Sequence, residues 1–93
     1  MLNQFSKKKE YEIFAPKDVN DFIEKQKKKD RSFYLEIIKK LNKINKNPYK
    51  GKPLSKEYKN HFSERIRNFR ILYIILDNEI RILDIGNRDD IYR

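Results

Sequence analysis

The stretch FSERIRNFRILYIILDNEIRILDIGNRDDIYR, residues 62–93, decides how this chain folds. Phe69–Leu76 and Ile80–Ile85 are apolar runs rich in residues that suit a pleated, half-buried surface. Asp77-Asn78 between them is a tight-turn signal, so the two runs read as a hairpin. Upstream, Arg67-Asn68 reads as another two-residue loop. Ile66 then faces Phe69, Arg65 faces Arg70 and Ser63 faces Leu72. Carried into the last hairpin, the register sets Ile75 opposite Ile80, Tyr73 opposite Ile82 and Arg70 opposite Ile85. Directly opposite residues share a face of the sheet. One face carries Phe62, Ile66, Phe69, Ile71, Tyr73 and Ile75, a core. The other carries Arg65 and Arg70 side by side.

Arginine is the anomaly here. Arg65, Arg67, Arg70, Arg81 and Arg88 crowd one short sheet, with Tyr92 just beyond. A strand does not need arginine for its own stability, and like charges directly opposite destabilise by a few tenths to ~1 kcal/mol. Arg88 follows the last strand near the Arg67-Asn68 turn, and Tyr92, four residues on, falls on roughly the same side. Arg65, Arg70, Arg88 and Tyr92 therefore converge on one patch. A competing reading pairs the arginines with Glu64, Asp84, Asp89 or Asp90 at strand ends. Convergence of four such groups favours an anionic ligand, because guanidinium forks match phosphate oxygens and an aromatic ring stacks on a base.

The remainder of the chain reads as two helices and a loop. Residues 1–8 form a polar arm, and Glu10–Phe14 alternates as a first strand, with Tyr11 and Ile13 on one face. Pro16 and Asp18 mark a helix start with Asp18 as its cap, and Val19, Phe22, Ile23 and Gln26 recur at helical spacing. Asp30 or Ser32 caps a second helix whose apolar stripe is Tyr34, Ile37, Ile38, Leu41 and Ile44. Lys39, Lys40, Lys43 and Lys46 lie largely outside that stripe. Asn47-Pro48 ends the helix. The loop Asn47–Lys59 follows, and its lysines, with Lys52, Lys56 and Lys59 foremost, rim the arginine patch. The order strand, helix, helix, strand, strand, strand predicts a single α+β domain over residues 1–93. Both N-terminal helices pack on one face of a small antiparallel sheet.

Composition bounds the chemistry. The chain has 93 residues, 23 Lys+Arg against 14 Asp+Glu, and a formal net charge of +9. That field favours polyanions or an acidic protein partner. Many of the lysines are also what a solvated surface needs. With no cysteine there is no disulfide framework or thiol metal site, and one histidine builds no zinc site by itself. No apolar run reaches the ~20 residues that span a bilayer. The first ten residues hold no apolar core of signal-peptide length, so the expected location is the cytoplasm. No phosphate-cradling glycine loop, Ser-His-Asp order or metal-carboxylate cluster is visible, so neither metal nor cofactor is expected. His61 reads as a strand-start residue away from the arginine face, and Asp89-Asp90 as a solvated terminus.

Three motifs resemble one family. They are Asn47-Pro48-Tyr49-Lys50-Gly51-Lys52-Pro53-Leu54, then Ser63-Glu64-Arg65-Ile66-Arg67-Asn68-Phe69-Arg70-Ile71-Leu72-Tyr73, then Ile85-Gly86-Asn87-Arg88-Asp89-Asp90-Ile91-Tyr92. In order and spacing this set resembles the RelE/ParE superfamily of toxins from type II toxin–antitoxin pairs, the RelE branch in particular. The resemblance covers about half of the chain; the first half matches only in its order of elements. It implies the RelE-like sheet with two helices and a metal-independent endoribonuclease that cuts mRNA in the ribosomal A site, stopping translation. It further implies a small acidic, amphipathic RelB-like antitoxin that wraps the toxin in a hetero-oligomer. Carried over, the catalytic set is Arg65, Arg70, Arg88 and Tyr92; beside the resemblance, the basic residues around that patch, Lys52, Lys56, Lys59 and Arg67, are the expected RNA contacts. Arg67 replaces the family's turn glycine, Phe69 its tyrosine and Asn87 its histidine. The last two changes remove a hydroxyl and an imidazole that could donate protons. They leave open the ParE alternative, a non-nuclease acting on DNA gyrase, and that of a binding-only basic module.

Cleavage by a 2′-OH needs a base, cations for the pentacovalent phosphate and an acid for the leaving 5′ oxygen. Arg65, Arg70 and Arg88 suit the second role. Arginine moves protons poorly, since its pKa exceeds ~12. Tyr92 is the better base or stacking platform, and dense positive charge lowers a phenol's usual pKa of ~10.

Overall fold

A computed structural model describes residues 11–54 and 58–87. Strand β1 (Glu12–Phe14) leads into helices α1 (Lys17–Lys29) and α2 (Arg31–Lys46), then a short 3-10 turn (Pro48–Lys50). Strands β2 (Lys52–Pro53), β3 (His61–Ile66), β4 (Phe69–Leu76) and β5 (Glu79–Asn87) complete the domain. The five strands form one sheet in the order β1-β5-β4-β3-β2. The predicted α+β fold, two helices on one face of a small sheet, is the one observed. Two details differ: β1 runs parallel to β5, which makes the sheet mixed, and the loop after α2 contributes β2 at the β3 edge.

The helices start as their ends dictate. Asp30 caps α2, its Oδ1 accepting the Phe33 amide at 3.1 Å. Asp18 does not cap α1. Pro16 occupies that position, and Asp18 lies in the first turn, where its charge suits the helix dipole. Val19 and Ile23 of α1 and Phe33, Ile37 and Ile44 of α2 bury against Phe62, Ile66, Ile71, Tyr73, Ile75, Ile80, Ile82 and Ile85. Phe33, outside the stripe expected for α2, joins Phe22 and Phe69 in an aromatic cluster with centroids 5.2–6.2 Å apart.

The β3–β4 register is the expected one throughout: Ile66 opposite Phe69, Arg65 opposite Arg70, Ser63 opposite Leu72. The β4–β5 ladder begins as expected, with Ile75 opposite Ile80 and Tyr73 opposite Ile82. A bulge between Leu72 and Tyr73 then shifts it, so Arg70 faces Gly86 instead of Ile85. The cause lies in the apolar spacing. Ile80 and Ile82 are two apart, but Ile85 comes three later, and an unbroken strand would turn it away from the core. Accommodating Leu83 as the extra residue brings Ile85 opposite Ile71, where both are buried.

Candidate functional site

Among the described residues, the sheet has one face under the helices and one that no helix covers. Alternation along β3 and β4 puts Ser63, Arg65, Arg70 and Leu72 on the uncovered face. Arg65 is exposed there, whereas Arg70, directly opposite, is only 8% exposed. A buried guanidinium needs partners for its donors. Arg70 Nη1 donates to Ser63 Oγ at 3.2 Å, and Ser63 is itself buried. Lys52, exposed on β2, lies opposite Ser63 and extends the basic row. On the β5 side the rung beside Arg70 is Gly86, which has no side chain to crowd an incoming ligand. Arg70 is thus held in place within a basic sheet face, a position suited to an anion.

Other expected site residues fall elsewhere. Lys59 is exposed in the turn before β3. Arg67 occupies the β3–β4 turn with φ 56°, the left-handed region that glycine takes at no cost. Its guanidinium turns toward α2. Nε and Nη2 donate to Glu36 at 3.1 and 2.8 Å, Nη1 donates to Asp30 at 3.2 Å, and its Cζ stands 4.7 Å from the Phe33 ring centroid. The Arg67 hydrogen bond holds the Glu36 carboxyl below its ordinary pKa, and Glu36 raises that of Arg67. Alternation puts His61 on the arginine face after all, contrary to the sequence reading. It stands four residues from Arg65, ~13 Å along the strand. Its Nδ1 lies 2.9 Å from the Lys59 carbonyl oxygen. Lys56, Arg88 and Tyr92, like the arm of residues 1–8, lie outside the described residues. Among the described residues no three His, Cys, Asp or Glu side chains gather to hold a metal ion.

Sequence reasoning missed Ser63 as the partner of Arg70, although its place opposite Leu72 was readable. It also missed the bond from the Tyr73 hydroxyl to the Pro48 carbonyl, which ties the loop bearing Lys52 to β4. Burial, and next the Glu64 charge, push the Tyr73 phenol up. Gly51 completes this junction: a Cβ there would come 3.2 Å from the Ser63 carbonyl oxygen and closer still to the Tyr73 hydroxyl.

Residues 16–92 match the family model for the ParE toxin of type II toxin–antitoxin systems, parDE. The chain belongs to that family, within the RelE/ParE superfamily. Solved structures share its fold. The YoeB–YefM complex from Staphylococcus aureus matches with TM-score 0.69 at 18% identity, covering 84% of this chain and 97% of that one. The RelBE2 toxin–antitoxin complex from Mycobacterium tuberculosis matches with TM-score 0.68 at 23% identity, covering 86% and 100%. A free-state mutant of Escherichia coli toxin RelE matches with TM-score 0.69 at 14% identity, covering 88% and 87%. A comparison with curated proteins finds no match by sequence. In this toxin the Arg65–Arg70 rung lies on the sheet face that α1 and α2 leave open.

Proposed function

We propose that this toxin is a ribosome-dependent endoribonuclease that cuts mRNA in the A site and arrests translation in the cytoplasm. The observation that carries the reading is the Arg65–Arg70 rung, with Arg70 buried against Ser63 on the sheet face the helices leave uncovered. The preorganised guanidinium of Arg70 meets the charge that grows on the phosphate oxygens as the 2′-OH attacks. Arg65 beside it binds the same or the next phosphate. In this reading Arg88 adds a third guanidinium for the phosphate. As the 2′ oxygen bonds to phosphorus, Tyr92 accepts its proton or stacks on a base, and the P–O5′ bond breaks with the departing 5′ oxygen taking a proton from water. Cationic side chains fill the role a metal would otherwise take, so the cleavage is metal-independent.

The inhibitor in this reading is a small, acidic, amphipathic RelB-like antitoxin. It covers the uncovered face, where Phe14, Leu76 and Leu83 are exposed and Phe14 packs beside Arg81. The second reading, a ParE-like toxin that blocks DNA gyrase without cutting RNA, is favoured by the family model that matches. One experiment separates the two. The toxin is induced alone, and mRNA 5′ ends are mapped by primer extension while plasmid supercoiling is followed. The nuclease reading expects new 5′ ends within translated codons; Arg70→Ala and Arg88→Ala remove them, and Tyr92→Phe reduces them. Intact message with lost supercoiling in arrested cells would establish the gyrase reading instead.

A further inference from the structure

A second basic surface lies around the edge of the sheet from the arginine face. A cleft of ≈ 670 Å³ opens between α2 and the outer edge of β3. Its walls include Lys39, Lys43 and Lys46 on one side and Arg65 on the other. The three lysines recur at i, i+4 and i+7, one stripe whose ends are roughly 10 Å apart along the helix axis. The other two cations of the cleft are engaged within the protein: Lys40 pairs with Glu64 at 3.6 Å and Arg67 with Glu36 at 2.8 Å. Among the described residues, Lys39, Lys43, Lys46 and Arg65 have no ion pair, and all four are exposed. Four uncompensated cations facing one cleft repel one another, and a bound polyanion relieves that repulsion.

The lining also says which polyanion. Among the described residues that form it, Ile66 is the only apolar one. An amphipathic acidic helix binds through apolar anchors, and this cleft offers almost none. A sugar–phosphate backbone needs only charges and donors. Of the exposed large apolar side chains, Phe14, Leu76 and Leu83 lie on other strands, and Leu35, one turn before Lys39 on α2, is not part of the lining. We propose that the α2–β3 cleft holds the phosphate backbone of an RNA strand. Arg65, at the β3 edge, joins the cleft to the Arg70 face, so the strand follows one basic track over the sheet edge. The inference rests on the RNA reading above and extends it: the chain grips RNA away from the scissile phosphate.

The test is binding, not cleavage. The probe is a short fluorescein-labelled 2′-O-methyl oligoribonucleotide, which has no 2′-OH and cannot be cut by 2′ attack. Its affinity for the full chain is measured by anisotropy across a salt series. For single strands log K falls with log[salt] at about −0.7 per phosphate neutralised. The variant K39Q/K43Q/K46Q should lower the steepness by roughly 2. Between roughly 50 and 200 mM salt it should therefore lose about 20-fold less affinity than the wild type. The control K25Q/K28Q/K29Q removes equal charge from α1 and should retain the wild-type slope. An unchanged slope in the α2 variant, an equal fall in the control, or loss of binding to poly-glutamate but not to RNA would each overturn the proposal. The two readings fail separately. Wild-type toxin that cuts no message while the slope still depends on α2 loses the nuclease but keeps the cleft. Normal cleavage with a slope independent of α2 keeps the nuclease and loses the cleft.

Discussion

Arg70 is a buried cation on the open face of a sheet, and its burial against Ser63 is what separates it from the solvated lysines around it. Arg70→Ala should cost on the order of 10²–10³ in cleavage rate while the thermal melt stays cooperative. Arg70→Lys should rescue poorly, because lysine keeps the charge and loses the planar fork. The adjacency of Arg65 and Arg70 was legible because a two-residue loop at Arg67-Asn68 leaves no other partner for them. Ser63 was not legible as the acceptor, since a serine beside an arginine on a strand signals nothing until the rotamers are known. Tyr73 tests the loop junction instead of the chemistry. Tyr73→Phe strands the Pro48 carbonyl, and urea unfolding should show a loss of about 1–2 kcal/mol. Gly51→Ala should also destabilise, by about 1–3 kcal/mol, because the new methyl enters the space held by the Tyr73 hydroxyl.

At the scale of elements, the helices, the long strands and the first strand were readable from periodicity, and β2 was not. β2 has two residues, too few for alternation to show, and the parallel pairing of β1 with β5 depends on how the helices return the chain. The bulge was foreshadowed by the interval of three between Ile82 and Ile85, but which residue bulges is set by packing. The β3–β4 turn is tied to α2 by Arg67, which holds both Glu36 and the α2 cap Asp30. Glu36 has its pKa lowered in the folded state, chiefly by the Arg67 hydrogen bond. Its contribution is therefore present above the unfolded carboxylate pKa, roughly 4, and is lost as pH falls through the lower folded value. A pH series of melting temperatures should fall less steeply in acid for Glu36→Gln than for the wild type. The effect should be small, because the pair is exposed to solvent. Equal acid sensitivity in both proteins would remove Glu36 from the account.

For the molecule as a whole, the formal charge is +9, and two of its basic surfaces are the Arg65–Arg70 face and the α2–β3 cleft. An acidic partner that binds only the folded toxin raises its stability by about 2.7 kcal/mol at roughly 100 times Kd. Purification from the native host should therefore yield the toxin with a small acidic protein, and the complex should melt above the free chain. Recovery of the toxin alone from cells that tolerate it would count against such a partner. The central claim concerns what the arginine face does to RNA, and a purified translation system tests it most directly. Message is programmed into ribosomes, the toxin is added with the A site empty, and cleavage is mapped by primer extension. The account predicts cuts within the A-site codon that need both ribosomes and Arg70. Message that stays intact on ribosomes treated with folded wild-type toxin would contradict it.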